Sequence, residues 1–236
     1  MAKSTKTGSN PQQSSKKKKG AALDPPFARL CLITPPMFDA ATFAPLLDAA
    51  LASGAVASLI IATEGLAPDL RLAAAEKLVP IAQANGAAAI LTDSDLMVRA
   101  GADGLHVAGG IADLRRAVDQ WRPDRIVGAG DIHSRHEAML LAETECDYLF
   151  FGRFDGDDGA AIHDKTLDLA AWWSALFEIP AIVMGGTSLD CIAEAAAARI
   201  EFVALRAAIW EHPDGPAAAV EAAASLVLAA QPEAAT

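Results

Sequence analysis

Cysteine, tyrosine, basic side chains and long hydrophobic runs are all scarce in this 236-residue chain, and each scarcity excludes something. Three cysteines (Cys31, Cys146, Cys191) are an odd number without metal-ligand spacing, which points to free thiols in a reducing cytoplasm rather than a disulfide framework. No apolar run approaches the roughly 18 residues that cross a bilayer, and no apolar segment follows the basic N-terminus as a secretory signal requires. Five histidines without a His-x-His or His-x-x-x-His pair near carboxylates carry no zinc signature. The 19 Lys+Arg face 30 Asp+Glu, and six of the lysines lie in the first twenty residues, so the remainder carries 13 basic against 30 acidic groups. A body that acidic repels nucleic acid and anionic membrane at long range. Any anionic ligand must therefore be held by local donors.

What the chain does have is apolar alternation. With 53% hydrophobic residues it can bury one sizeable core. Residues 1–24, which include Lys16 through Lys19, are too polar to fold alone and are expected to be a disordered basic tail, either a solubilising arm or a weak polyanion contact. From residue 25 to 236 a single domain is expected. Strand-like runs are predicted at Arg29–Thr34, Val56–Ala62, Ala87–Thr92, Gly104–Ala108, Arg125–Ala129, Tyr148–Gly152, Ala181–Met184 and Ile200–Leu205. Most are continuously apolar over about five residues, as strands buried on both faces of a parallel sheet are.

Ala- and Leu-rich helical segments separate these runs and close the series at Pro216–Ala230. Asp39 and Ser188 suit N-caps, Pro68 and Pro216 suit first-turn positions, and Gly54, Gly86 and Gly101 stand where helices should stop. Eight strands alternating with eight helices predict an α/β fold of the (β/α)₈ TIM barrel type. An open doubly wound sheet is the alternative; the lack of Gly-x-Gly-x-x-Gly after the first strand weighs against its dinucleotide-binding form.

In such barrels the site lies at the carboxyl ends of the strands. The residues there include Thr34, Thr63, Asp93, His106, Asp131, His133, Arg153, the pair Gly185-Gly186, and Arg206. Gly185 and Gly186 follow the seventh apolar run, and Thr187-Ser188 then opens a helical segment. Glycines there let backbone N–H groups approach phosphate oxygens. A tight strand-to-helix turn is the other reading of the pair. Ala207 and Ala208 would add amides from the eighth loop, and Arg206 either a charge-assisted contact or a surface ion pair. His133, two residues after Asp131, is either a proton-transfer group or a helix-entry cap. His106 is either a hydrogen-bonded core residue or a catalyst.

Several ordered motifs carry a resemblance to a known family. Gly101-Ala102-Asp103-Gly104-Leu105-His106-Val107, Gly128 through His133-Ser134 with Glu137-Ala138, Cys146 through Gly152, and Ile179 through Gly186 resemble the thiamine phosphate synthase/TenI superfamily over residues 29–210. The resemblance implies a barrel that binds a phosphorylated thiazole. In the synthase branch that thiazole is joined to an aminopyrimidine pyrophosphate, with Mg²⁺ and release of pyrophosphate. In the TenI branch a histidine, here His133, tautomerises the thiazole ring. A third possibility is a paralogue that binds a phosphometabolite without turnover. The small-molecule partners follow from the branch, and a homo-oligomer is compatible with all three.

The family pattern is kept unevenly. It implies Asp93 and Asp113 as Mg²⁺ ligands, since a hard ion takes oxygen donors and shares them with phosphates. Thr92 stands where the family has Asn, and Asp131 where it has Ser. The pyrophosphate-holding Gln-x-Arg-x-Lys is replaced by Leu59-Ile60-Ile61-Ala62-Thr63. Arg153, Lys165 and Arg206 are the cations left to compensate, while Asp155, Asp157 and Asp158 oppose them.

Overall fold

A computed structural model describes Met1 and residues 27–231; the lysine-rich tail expected over 1–24 lies outside the described residues. The strands β1 (Arg29–Ile33), β2 (Val56–Ile61), β3 (Ala88–Leu91), β4 (Gly104–Val107), β5 (Ile126–Ile132), β6 (Tyr148–Phe151), β7 (Ala181–Met184) and β8 (Phe202–Leu205) follow one another around a ring. Each pairs in parallel with the next. The last also pairs with the first, Arg29 opposite Phe202 and Leu32 opposite Leu205, so the sheet closes. The expected (β/α)₈ barrel is the observed fold, and the open sheet is ruled out.

The continuous apolar runs are explained by the period of two along each strand. Leu30, Leu32, Leu59, Ile61, Val183 and Leu205 face outward into the layer shared with the helices. Cys31, Ile33, Ile60, Ile182 and Met184 face inward to a separate interior cluster. Both faces are buried, so polar positions such as Ser58 and His106 are few. The interior is small, and β6 fills much of it with Tyr148 and Phe150. β5 makes room by presenting glycines. A methyl group on Gly128 would overlap the Tyr148 ring, and one on Gly130 would overlap the His106 imidazole.

The helices are α1 (Ala40–Leu51), α2 (Pro68–Ala84), α3 (Ser94–Ala100), α4 (Ile111–Trp121), α5 (Arg135–Ala142), α6 (Asp164–Ser174), α7 (Cys191–Ala197), α8 (Ala207–Trp210) and α9 (Pro216–Ala229). Asp39 caps α1 by accepting the Thr42 N–H, Pro68 and Pro216 open α2 and α9, and Gly101 ends α3 at φ 69°. Trp173 of α6 is fully buried against the barrel and donates its indole N–H to the Ile179 carbonyl at 2.8 Å. All three cysteines are free and buried.

Four differences from expectation matter for the site. β5 runs on to Ile132 through a register shift, with Asp131 in the left-handed region at φ 60°. α6 starts at Asp164 rather than Leu167, which puts Lys165 in its first turn. α7 starts at Cys191, so Ser188 is not its N-cap; the Ser188 hydroxyl instead bonds the Asp190 side chain at 3.0 Å. The single turn α8 was not expected, because four residues are too few to show a helical period.

Gly128→Ala is expected to lower stability by about 1–3 kcal/mol, since the ring of Tyr148 must shift within a packed interior. A thermal unfolding midpoint equal to that of the parent chain would show that the ring is not pressed against β5.

Candidate active site at the carboxyl rim of the barrel

A cavity of about 480 Å³ lies at the rim where β5, β6 and β7 end. It is lined by His133, Arg153, Asp158, His163 and Lys165, with Met184 and Leu169 forming apolar walls. Two cations and two histidines therefore converge in an otherwise acidic protein. Arg153 also pairs with Asp155 at 2.8 Å, an exposed contact. His163, immediately before α6, has only a weaker claim from sequence than His133 or His106.

His133 Nε2 lies 3.1 Å from Asp131 Oδ1, and both side chains are more than half exposed. The left-handed turn at Asp131 brings the carboxylate round to the imidazole; aspartate tolerates that conformation better than most residues. The His133 main chain has a separate task. Its N–H donates to Glu137 Oε2 at 2.8 Å, while Ser134 Oγ accepts the Glu137 N–H at 3.2 Å. This reciprocal cap starts α5. The backbone thus serves helix entry, and the ring stands beside the Asp131 carboxylate.

His106 is buried below the mouth. Its Nδ1 lies 3.0 Å from the Tyr148 hydroxyl, and Phe150 and Phe154 pack on its ring at 5.5 and 4.8 Å between centroids. Burial pushes its pKa down to about 4, so the ring is neutral near pH 7. It also faces a smaller cavity that it shares with Asp131 and Arg153, which makes it the floor of the site as well as a core residue.

The turns after β7 and β8 carry the expected phosphate donors, and those of Gly185, Arg206 and Ala207 are engaged. The Gly185 N–H donates to the Ala204 carbonyl at 2.8 Å as part of the β7–β8 pairing, so Gly185 is corrected from ligand donor to sheet residue. Gly186 lies against the Ala160 backbone, where any Cβ would overlap it. The next two amides, Thr187 and Ser188, donate to the Gly159 and Ala160 carbonyls at 2.8 and 3.2 Å. Arg206 forks onto the Asp157 carboxylate, and Asp157 Oδ2 accepts the Ala207 N–H at 2.9 Å. The Asp157 side chain is fully buried and that of Arg206 is 17% exposed, so the pair that Arg206 forms does not lie at the surface. It is a buried ion pair. Ala208 is buried beside it.

A family model described as thiamine monophosphate synthase matches residues 30–209. The chain belongs to the thiamine monophosphate synthase family. The thiamine-phosphate synthase of Rhodospirillum centenum is 39% identical over 195 residues, covering 81% of this chain and 94% of that one. That of Hyphomonas neptunium is 32% identical over 206 residues, covering 84% and 92%. Among solved structures, a thiamine phosphate pyrophosphorylase from Pyrococcus furiosus superposes with a TM-score of 0.71 at 20% identity, over 86% of this chain and 96% of that one. A 3-hexulose-6-phosphate synthase does so at 0.64 and 17%. These two likenesses concern the fold alone.

Within the family frame, the acidic pair implied for Mg²⁺ is partly committed. Asp93 caps α3, its Oδ1 accepting the Asp95 and Leu96 N–H groups at 2.8 and 3.0 Å. Asp113 pairs through Oδ1 with Arg116. The second oxygen of each carboxylate has no hydrogen-bond donor among the described residues, and the two stand after neighbouring strands, β3 and β4. Asp113 lines a cavity of about 380 Å³ there with Thr92, whose buried hydroxyl has no partner among the described residues. Asp93 does not line it. No cluster of three or more His, Cys, Asp or Glu side chains suited to a metal occurs among the described residues. Hard oxygen donors completed by phosphate oxygens are what Mg²⁺ takes, and this donor set fits that pattern.

Thr34 and Thr63 are corrected. Thr34 is buried and exchanges hydrogen bonds with the Ala62 backbone, its Oγ1 donating to the carbonyl at 3.2 Å and accepting the N–H at 3.0 Å. Thr63 is also buried, and its carbonyl accepts the Leu66 N–H. Thr34 thus extends the sheet edge, and Thr63 closes a turn. No helix among the described residues is long and apolar enough to cross a membrane.

The depressed His106 pKa has a definite sign in stability. The folded value lies below the unfolded one near 6.5, so the neutral ring's contribution is complete above pH 6.5 and is lost as the pH falls toward 4. Urea unfolding from pH 7 to 4.5 is expected to show a loss on the order of 3 kcal/mol in excess of that in His106→Asn. Parallel profiles for the two proteins would mean that the imidazole is not held neutral.

Proposed function

We propose that this chain is a transferase of the thiamine-phosphate synthase type, joining a phosphorylated thiazole to an aminopyrimidine pyrophosphate with release of pyrophosphate. Family membership supports the reaction class. The observation that carries the reading to this chain is the cavity in which Arg153 and Lys165 converge with His133 and His163. As the bond to the departing pyrophosphate breaks, its electron pair stays on oxygen, and positive side chains stabilise the charge that develops. The strand that supplies two such cations elsewhere in the family reads Leu59 through Thr63 here, with Leu59, Ile60 and Ile61 in the core. Arg153 and Lys165 take over that role from the opposite side of the rim.

The phosphate of the thiazole is assigned to the turn from Gly186 to Ser188 together with Arg206, Ala207 and Ala208. Mg²⁺ would be held by Asp93 and Asp113 together with pyrophosphate oxygens. It would supply neutralisation of the leaving group. His133, oriented by Asp131, holds a proton at Nε2 or Nδ1 next to the cavity that Arg153 and Lys165 share. That same pair favours a second reading, a TenI-like tautomerase in which His133 moves a proton on the thiazole ring. The binding-only alternative is not carried further, because the cavity retains both cations and a proton-transfer pair.

With Mg²⁺ and both substrates the purified protein is expected to release pyrophosphate. Lys165→Ala should lower kcat/KM about 100-fold, equivalent to about 2.7 kcal/mol of charge stabilisation. Undiminished release in this variant would move the leaving group elsewhere; no release from the parent protein at high enzyme concentration would end the synthase reading. For the tautomerase, His133→Asn should abolish ring isomerisation while the thiazole phosphate still binds, and an unchanged rate would remove His133 from the chemistry.

A further inference from the structure

We propose that residues 153–163, the connection between β6 and α6, are an autoinhibitory strap whose Asp157 carboxylate occupies the phosphate subsite until a phosphorylated ligand displaces it. This rests on the assignment of that subsite to the β7 and β8 turns. One segment takes donors from both turns at once. Asp157 takes two guanidinium nitrogens of Arg206 and the Ala207 N–H, and the Gly159 and Ala160 carbonyls take the Thr187 and Ser188 N–H groups. A forked guanidinium contact plus main-chain amides is the donor set that phosphoryl oxygens use, and here a carboxylate holds it while fully buried.

The rest of the strap closes the barrel mouth. Phe154 stacks within 4.8 Å of the His106 ring and 5.1 Å of Phe150, above the inward-facing cluster. Ile162 is buried and its N–H donates to Glu194 Oε2 at 3.0 Å, which anchors the far end on α7. The near end begins after Gly152, whose φ of 99° is open to glycine but costly for other residues. Between these ends the strap holds Gly156 and Gly159, and a Cβ on Gly159 would meet nothing within 4 Å. The segment is therefore anchored at one end and jointed along its length.

Exchange is the physically accessible way to open it. Pulling Asp157 away with nothing in its place would leave a mostly buried guanidinium unpaired, which is strongly unfavourable. A phosphate arriving as Asp157 leaves keeps Arg206 paired throughout, offers it more negative charge than a carboxylate does, and returns the Asp157 charge to water. The strap thus shuts the site against small neutral molecules and yields to an anion that fits the fork. Its acidic neighbours Asp155 and Asp158 would leave the rim with it, which removes repulsion from the same ligand.

Calorimetry with the phosphorylated thiazole tests this on the full chain. Asp157→Ala should bind at least tenfold more tightly than the parent, Asp157→Asn should show an intermediate gain, and the exposed Asp119→Ala on α4 should stay within twofold. Arg206→Ala should lose binding. In hydrogen exchange, the ligand should raise the exchange of backbone amides across 153–163 in the parent chain. Equal affinity for the parent and both Asp157 variants, with binding still lost in Arg206→Ala, would overturn the strap and leave the subsite standing. Binding unaffected by either Arg206→Ala or the Asp157 substitutions, or absent in every protein, would overturn the subsite itself and the strap with it.

Discussion

Closure of the sheet through the pairing of β8 with β1 is the constraint on which the rest depends. It brings residues from the ends of the chain, Arg29 and Phe202, side by side, and it forces every strand to bury both faces. It also makes the interior a fixed, narrow volume. Tyr148, Phe150 and His106 fill it only because β5 contributes Gly128 and Gly130. The floor of the site is a consequence of that packing. His106 stays neutral at the base of the mouth because the ring is surrounded by aromatic and aliphatic groups rather than by water.

The second constraint is electrostatic. A chain with 30 acidic side chains is expected to draw anions only where local donors outweigh its overall field. At the rim those donors fall into two sets with different states. Arg153, Lys165, His133 and His163 face an open cavity. Arg206 and the Thr187, Ser188 and Ala207 amides are satisfied internally by one segment of the protein. The first set can receive charge as the structure stands. The second can receive it only by exchange.

How much of this was legible in the chain varies by element. The eight runs were visible because doubly buried strands read as short apolar blocks, and helix ends were visible where a cap or proline acts within one turn, as at Asp39, Pro68 and Pro216. Asp93 shows the limit of such reading. Its position after β3 suits both a metal ligand and an N-cap, and the local hydrogen bonds to Asp95 and Leu96 show the cap. Thr34 misled for a related reason, since a hydroxyl at a strand end looks like a pocket donor until its partner, Ala62 just past β2, is known. Asp157 gave no local sign at all. In an acidic loop it resembles its neighbours, and its partner stands 49 residues away.

Period and punctuation, which act over a few residues, determined the alternation of eight strands with helices, and the ordered motifs carried the family resemblance; closure of the ring was decided by the tertiary structure. Which donors at the rim are free, which carboxylate caps a helix and which one is buried against Arg206 were decided only by tertiary structure. Those outcomes depend on contacts between loops that closure brings together, and no local sequence rule carries the distance between them.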